Sequence, residues 1–152
     1  MIWRTVKHFS PREKWGDPHK VSGLLVLSLD ATRDVYGEDP TLYSFVLHCA
    51  YELSGHSDKS LHYEGKAADF HVRSNGRPPD TFVQQVLLMT KALGNLQLSE
   101  HVGLGIYPQW NSPGFHFDVR GERARWGWLD GKQVSFQDAL MYARQKNVIG
   151  PY

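Results

Sequence analysis

A chain of 152 residues is a natural size for one domain, long enough to bury a core and short for two. Its 41% hydrophobic and 22% charged residues, with 12% aromatic, exclude a disordered chain. Seventeen Lys and Arg against 16 Asp and Glu leave a net charge of +1, which excludes a broad basic field for nucleic acid or anionic lipid. A partner must therefore be argued from a site.

Cys49 is the one cysteine, so no internal disulfide is needed for folding. It lies in the apolar run YSFVLHCAY and reads as buried, inert packing rather than a nucleophile. The start, MIWRTVKHFSPREKW, has no apolar signal core, and nowhere do eighteen apolar residues run together. The expectation is a soluble chain made in the cytoplasm, with no membrane insertion.

In chain order, residues 1–20 read as an irregular arm with a turn of helix after Ser10, where Pro11 and Glu13 suit a capped first turn. Residues 21–36 place Leu24, Leu25, Leu27, Ala31 and Val35 near helical spacing, closed by Gly37. Leu42 to Tyr51 is rich in aromatic and β-branched residues and predicts a strand, with a helix as the alternative. SGHSDKS then breaks regular structure, and Asp69 to Arg73 alternates as a half-buried strand does. DTFVQQVLLMTKAL predicts a second amphipathic helix stopped by Gly94. A β pair around GLGIYPQWNSPGFHFDVRG follows, and SFQDALMYARQKN closes as a helix capped by Ser135. The fold class is α+β, a small antiparallel sheet with helices packed against it.

Alternation on a strand puts Asp69, His71 and Arg73 on one face, opposite Phe70 and Val72. A second strand repeats the arrangement, with His116, Asp118 and Arg120 opposite Phe115, Phe117 and Val119. Each strand alone fits a solvated polar face. With His62 from the stretch before the first strand, they offer the His62, Asp69 and His116 set, two imidazoles and a carboxylate, which suits a zinc ion that keeps one position for water. Asp118 then stands either as the base toward that water or as an acceptor orienting an imidazole. His71 is a candidate proton carrier, or a histidine hydrogen-bonded at the sheet edge. Arg120 is a candidate for binding a substrate carboxylate, against a surface ion pair. His56 is a rival ligand, ranked below His62 because no matching Gly and Asp follow it. Tyr107, Trp110 and Phe115 are read as walls of the groove, and Trp126 and Trp128 as packing, with stacking on sugar rings the lesser alternative.

The run SLHYEGKAADF resembles the Ser-x-His-x-x-Gly-x-Ala-x-Asp signature of the M15 zinc peptidases, which include D-alanyl-D-alanine carboxypeptidases, phage L-alanyl-D-glutamate endolysins and the hedgehog-like fold. VGLGIYPQWNSPGFHFDVRG resembles the family's Gly-x-Gly-x-Tyr segment leading to a His-x-Asp-x-Arg strand. With FSPREKW and LLVLSLDATRDVYG the likeness spans roughly residues 8–120, in the order of phage-type members. The resemblance implies Zn2+ held by His62, Asp69 and His116, a hedgehog and DD-peptidase-like fold, and hydrolysis of the peptidoglycan stem peptide; the expected state of the chain is a monomer. That is an endolysin-like hydrolase acting on the cell wall after release.

Two positions depart from the family pattern. Pro113 stands where many members carry an acidic general base, three residues before the last ligand, and Glu52, in CAYE, stands where D-alanyl-D-alanine-cleaving members carry an Arg. The departures speak against D-alanine release and leave cleavage within the stem peptide as the expectation. They equally suit a metal-containing wall-binding or virion-associated module without turnover.

Overall fold

The computed structural model describes residues 2–151, so Met1 and Tyr152 of the predicted arm and tail lie outside the described residues. Three helices, α1 (Gly23–Asp34), α2 (Phe82–Asn95) and α3 (Phe136–Gln145), accompany six strands. These are β1 (Tyr43–Cys49), β2 (Ala67–Ser74), β3 (Gly103–Tyr107), β4 (Gly114–Asp118), β5 (Ala124–Leu129) and β6 (Lys132–Val134). They form one sheet in the order β1-β2-β4-β3-β5-β6. The class is α+β, but the sheet is mixed rather than antiparallel, because β3 and β5 run parallel.

The alternation read in the strands decides which face is core. Phe45, Leu47, Phe70, Val72, Leu104, Ile106, Phe115 and Phe117 are all buried within one apolar cluster. Helix α2 meets this face through Phe82 against Phe115, ring centroids 5.4 Å apart, and Gln85 donates to the Val72 carbonyl. Beside α1, Tyr36 packs edge-on against Phe45. Phe115 therefore belongs to the core and does not wall the groove, since it lies on the face opposite His116. No described helix is long and apolar enough to cross a membrane.

Helix α1 corrects the predicted apolar stripe. Leu24 and Leu27 are exposed, while Leu25, Val26, Ser28, Leu29, Asp30 and Thr32 are buried. Polar residues turn inward because they have partners there. Both Asp30 oxygens accept from the Lys7 backbone N–H, and Oδ1 also accepts from that of His8, which ties the N-terminal arm to the helix; the Thr32 hydroxyl donates to the Ser28 carbonyl. The anticipated turn of helix after Ser10 is only a turn, in which Glu13 accepts from the Ser10 N–H. Gly94 does not stop α2, which runs to Asn95.

Strands β5 and β6 are additional to the expected pair. They are joined by Asp130 and Gly131, both with positive φ of 54° and 76°, the two-residue turn that suits a right-twisted hairpin. Both Trp126 and Trp128 lie on β5. Gly127, between them, admits α3, since a Cβ there would collide with Ala139.

Candidate metal centre

The site lies on the sheet face away from the core, and the register of β2, β3 and β4 assembles it. Asp69 pairs directly with His116, and Gly105 faces His116 from the other side. On the outer side Cys49 pairs with Asp69 after an irregularity in β1 next to His48. His62 arrives from a 3-10 turn, Leu61–Glu64, capped by the Ser60 hydroxyl. That turn ends at Gly65 with φ 67°, where a side chain would be strained and would collide with the Lys20 carbonyl. The Ser60, His62, Gly65 and Asp69 spacing is thus a capped turn followed by a strand.

Donor atoms of His62, Asp69 and His116 all lie within 4.8 Å of one another. His62 Nε2 is 3.3 Å, and His116 Nδ1 3.0 Å, from Asp69 Oδ1. The opposite ring nitrogens fix how the two histidines present themselves. His62 Nδ1 donates to the Ala50 carbonyl at 2.7 Å, which leaves Nε2 a bare lone pair, and that buried atom has no hydrogen-bond partner among the described residues. His116 Nε2 donates to Asp118 Oδ2 at 2.8 Å, so Nδ1 turns toward Asp69. Two imidazole lone pairs and a carboxylate aimed at a common point repel one another unless a proton or a cation lies between them. The donor set therefore fits a divalent metal, and two nitrogens with one oxygen is a combination zinc takes readily.

Charges around the centre are mutually supporting. Burial pushes the Asp69 carboxyl up, but the adjoining His116 and His62 rings, when one carries the proton that lies between them and Asp69, outweigh it and hold the group below the usual carboxylate range. Burial likewise lowers His116, yet Asp118 and Asp69 outweigh it and the ring is raised above the ordinary histidine value. Asp118 is wholly buried. Its Oδ1 accepts from Arg120 Nε at 2.8 Å and its Oδ2 from Arg120 Nη2 at 2.8 Å, besides the bond to His116. With its oxygens so occupied, Asp118 matches the reading of an acceptor that orients His116 better than that of a free base.

The other anticipated residues divide. Arg120 lines the cavity but is committed to Asp118, with its guanidinium 5.1 Å over the Trp126 ring. Tyr107 lines the same cavity, of about 720 Å³, with Trp110, Trp126 and Trp128; burial raises its phenol pKa, so it stays protonated at neutral pH. His71 shares the face of Asp69 but does not line the cavity. It is bonded to His48 at 2.6 Å, and burial, with the His48 and Arg73 charges, lowers it to about 4. His56 does line the cavity, its ring parallel to that of His62 at 4.0 Å, and burial keeps it below the ordinary histidine value. Cys49, His56 and His62 form a second set of donors within 4.8 Å, although burial beside Asp69 pushes the Cys49 thiol up to about 12. The place of His56 was hidden in the sequence because nothing in SGHSDKS fixes how that loop folds back.

Among known proteins, no family model, no curated protein and no solved structure matches the chain.

Proposed function

We propose that the chain is a zinc-dependent peptidase of the M15 kind that hydrolyses peptide bonds within the stem peptide of bacterial peptidoglycan. The observation that carries this reading is the bare, buried Nε2 of His62 meeting Asp69 and His116 on the wall of a large open cavity. When bound there, zinc would polarise the scissile carbonyl and lower the pKa of its water. The chain's own residues do the rest. Asp118 holds the His116 ring by its Nε2–H and is itself held by Arg120. Tyr107, Trp110, Trp126 and Trp128 give the peptide an apolar wall. His56, neutral and beside His62, is the free titratable side chain best placed to accept a proton.

Glu52 and Pro113 still speak against release of a terminal D-alanine. The same Pro113, with the occupied oxygens of Asp118, favours a second reading, a metal-containing wall-binding or virion-associated module without turnover. Digestion of purified peptidoglycan by zinc-loaded protein, with and without a chelator, followed by mass spectrometry of the fragments, separates the two. Chelator-sensitive cleavage inside the stem peptide is expected; no fragments from metal-loaded protein, across several wall chemotypes, would favour the module.

A further inference from the structure

Gly103, Gly105 and Tyr107 lie on the site face of β3, and the two glycines leave room there for other side chains. A Cβ on Gly103 would come within 2.6 Å of the Asp118 oxygens, and one on Gly105 within 2.6 Å of the Trp126 ring. The space over Gly105 is filled by the Trp126 indole, from the neighbouring parallel strand, where Trp126 pairs with Gly105. That indole is fixed from several sides. Arg120 lies 5.1 Å above its ring, the His116 ring is 5.1 Å away, and its Nε1 reaches the Tyr107 hydroxyl at 3.2 Å.

The direction of that last bond matters. An indole nitrogen can only donate, so Tyr107 is the acceptor and its own proton is not used in the contact. No side chain or carbonyl among the described residues takes that proton. The phenol ring is also stacked on Trp110, centroids 4.2 Å apart, which limits where the hydroxyl can swing. The result is an O–H donor with a fixed ring and an occupied lone pair, in the cavity that holds His62, Asp69 and His116.

We propose that Tyr107 is a catalytic hydrogen-bond donor to the carbonyl oxygen of the scissile peptide as negative charge develops on it, and that Trp126 is a positioning residue that leaves the phenol free to donate. This rests on the peptidase reading of the same site. No proton is transferred, since the phenol only hydrogen-bonds to the forming oxyanion.

The test compares wild type, Tyr107→Phe, Trp126→Phe and the double variant, each loaded with zinc and checked for equal metal content, on purified peptidoglycan fragments. Tyr107→Phe keeps the ring and its stacking and is expected to lower kcat by about 10²- to 10³-fold with KM little changed, the usual cost of one oxyanion donor. Trp126→Phe should cost less, and the double variant no more than Tyr107→Phe alone, because both act through one hydroxyl. Calorimetry with a phosphinic isostere of the cleaved bond should show weakened binding in Tyr107→Phe and unchanged product binding. A Tyr107→Phe protein with wild-type kcat and wild-type affinity for the isostere would overturn the proposal while leaving the peptidase reading intact. Additive losses in the double variant would overturn the role given to Trp126, and wild-type protein without turnover would overturn both readings.

Discussion

Asp69 and His116 face each other across the β2–β4 pair, with Asp69 Oδ1 3.0 Å from His116 Nδ1 and 3.3 Å from His62 Nε2. One carboxylate oxygen thus serves both imidazoles. Asp69→Asn keeps the shape and removes the charge, so zinc affinity should fall by more than the roughly 10- to 100-fold that loss of an outer partner costs. Competition with a chromophoric chelator measures it.

Asp118 acts on the centre through another residue. Removing its carboxylate leaves His116 Nε2 and the Arg120 guanidinium without their acceptor in a buried place. Asp118→Ala should weaken zinc about 10- to 100-fold and destabilise the metal-free fold by roughly 3 kcal/mol, read by chelator competition and denaturant unfolding. If Asp118 were instead a free base, the variant would keep full zinc affinity and lose only turnover.

His56 should show the reverse pattern. Its ring lies against His62 but outside the three-donor set, so His56→Ala should retain stoichiometric zinc and lose about 10²- to 10⁴-fold in rate as a missing proton acceptor. His71→Ala, directed away from the cavity toward His48, should leave turnover within a few-fold of wild type. Rates on peptidoglycan fragments, paired with metal content, distinguish the two histidines.

Away from the site, Glu13 gives a pH dependence. Burial raises its carboxyl above the ordinary 4.5, against the lowering effects of the Ser10 N–H and Arg33, and its Oε2 has no partner among the described residues. A raised folded-state pKa means that the native state binds the proton more tightly than the unfolded chain. Stability from this group is therefore present below pH 4.5 and lost as pH rises through the folded value. Glu13→Gln should raise Tm at pH 8, and the gain should shrink below pH 4.5.

Much of this was legible because strand alternation is a strong signal. Phe70 and Val72 against Asp69 and His71, and Phe115 and Phe117 against His116 and Asp118, gave the two faces directly. The Ser60, Gly65 and Asp69 spacing stood out as part of the M15-like signature, and the capped turn it builds around His62 is seen in the structure. What was not legible depended on contacts between distant segments. Asp30 lies outside the apolar stripe read for α1, and its burial depends on the arm, whose Lys7 and His8 N–H groups it accepts from; Thr32 is buried with its hydroxyl on the Ser28 carbonyl. Strands β5 and β6 carry one local signal, Asp130-Gly131 between short runs, and it is weak because the runs on either side are short. The parallel pairing of β3 with β5, which brings Trp126 over Gly105, leaves no local trace in the sequence.

The central claim is that His62, Asp69 and His116 form a metal centre, and elemental analysis of the purified protein beside His116→Ala tests it most directly. About one zinc per chain in the wild type, and none retained in the variant after dialysis, is the expected result. Wild-type protein without stoichiometric metal, and with a melting temperature unmoved by added zinc, would contradict it.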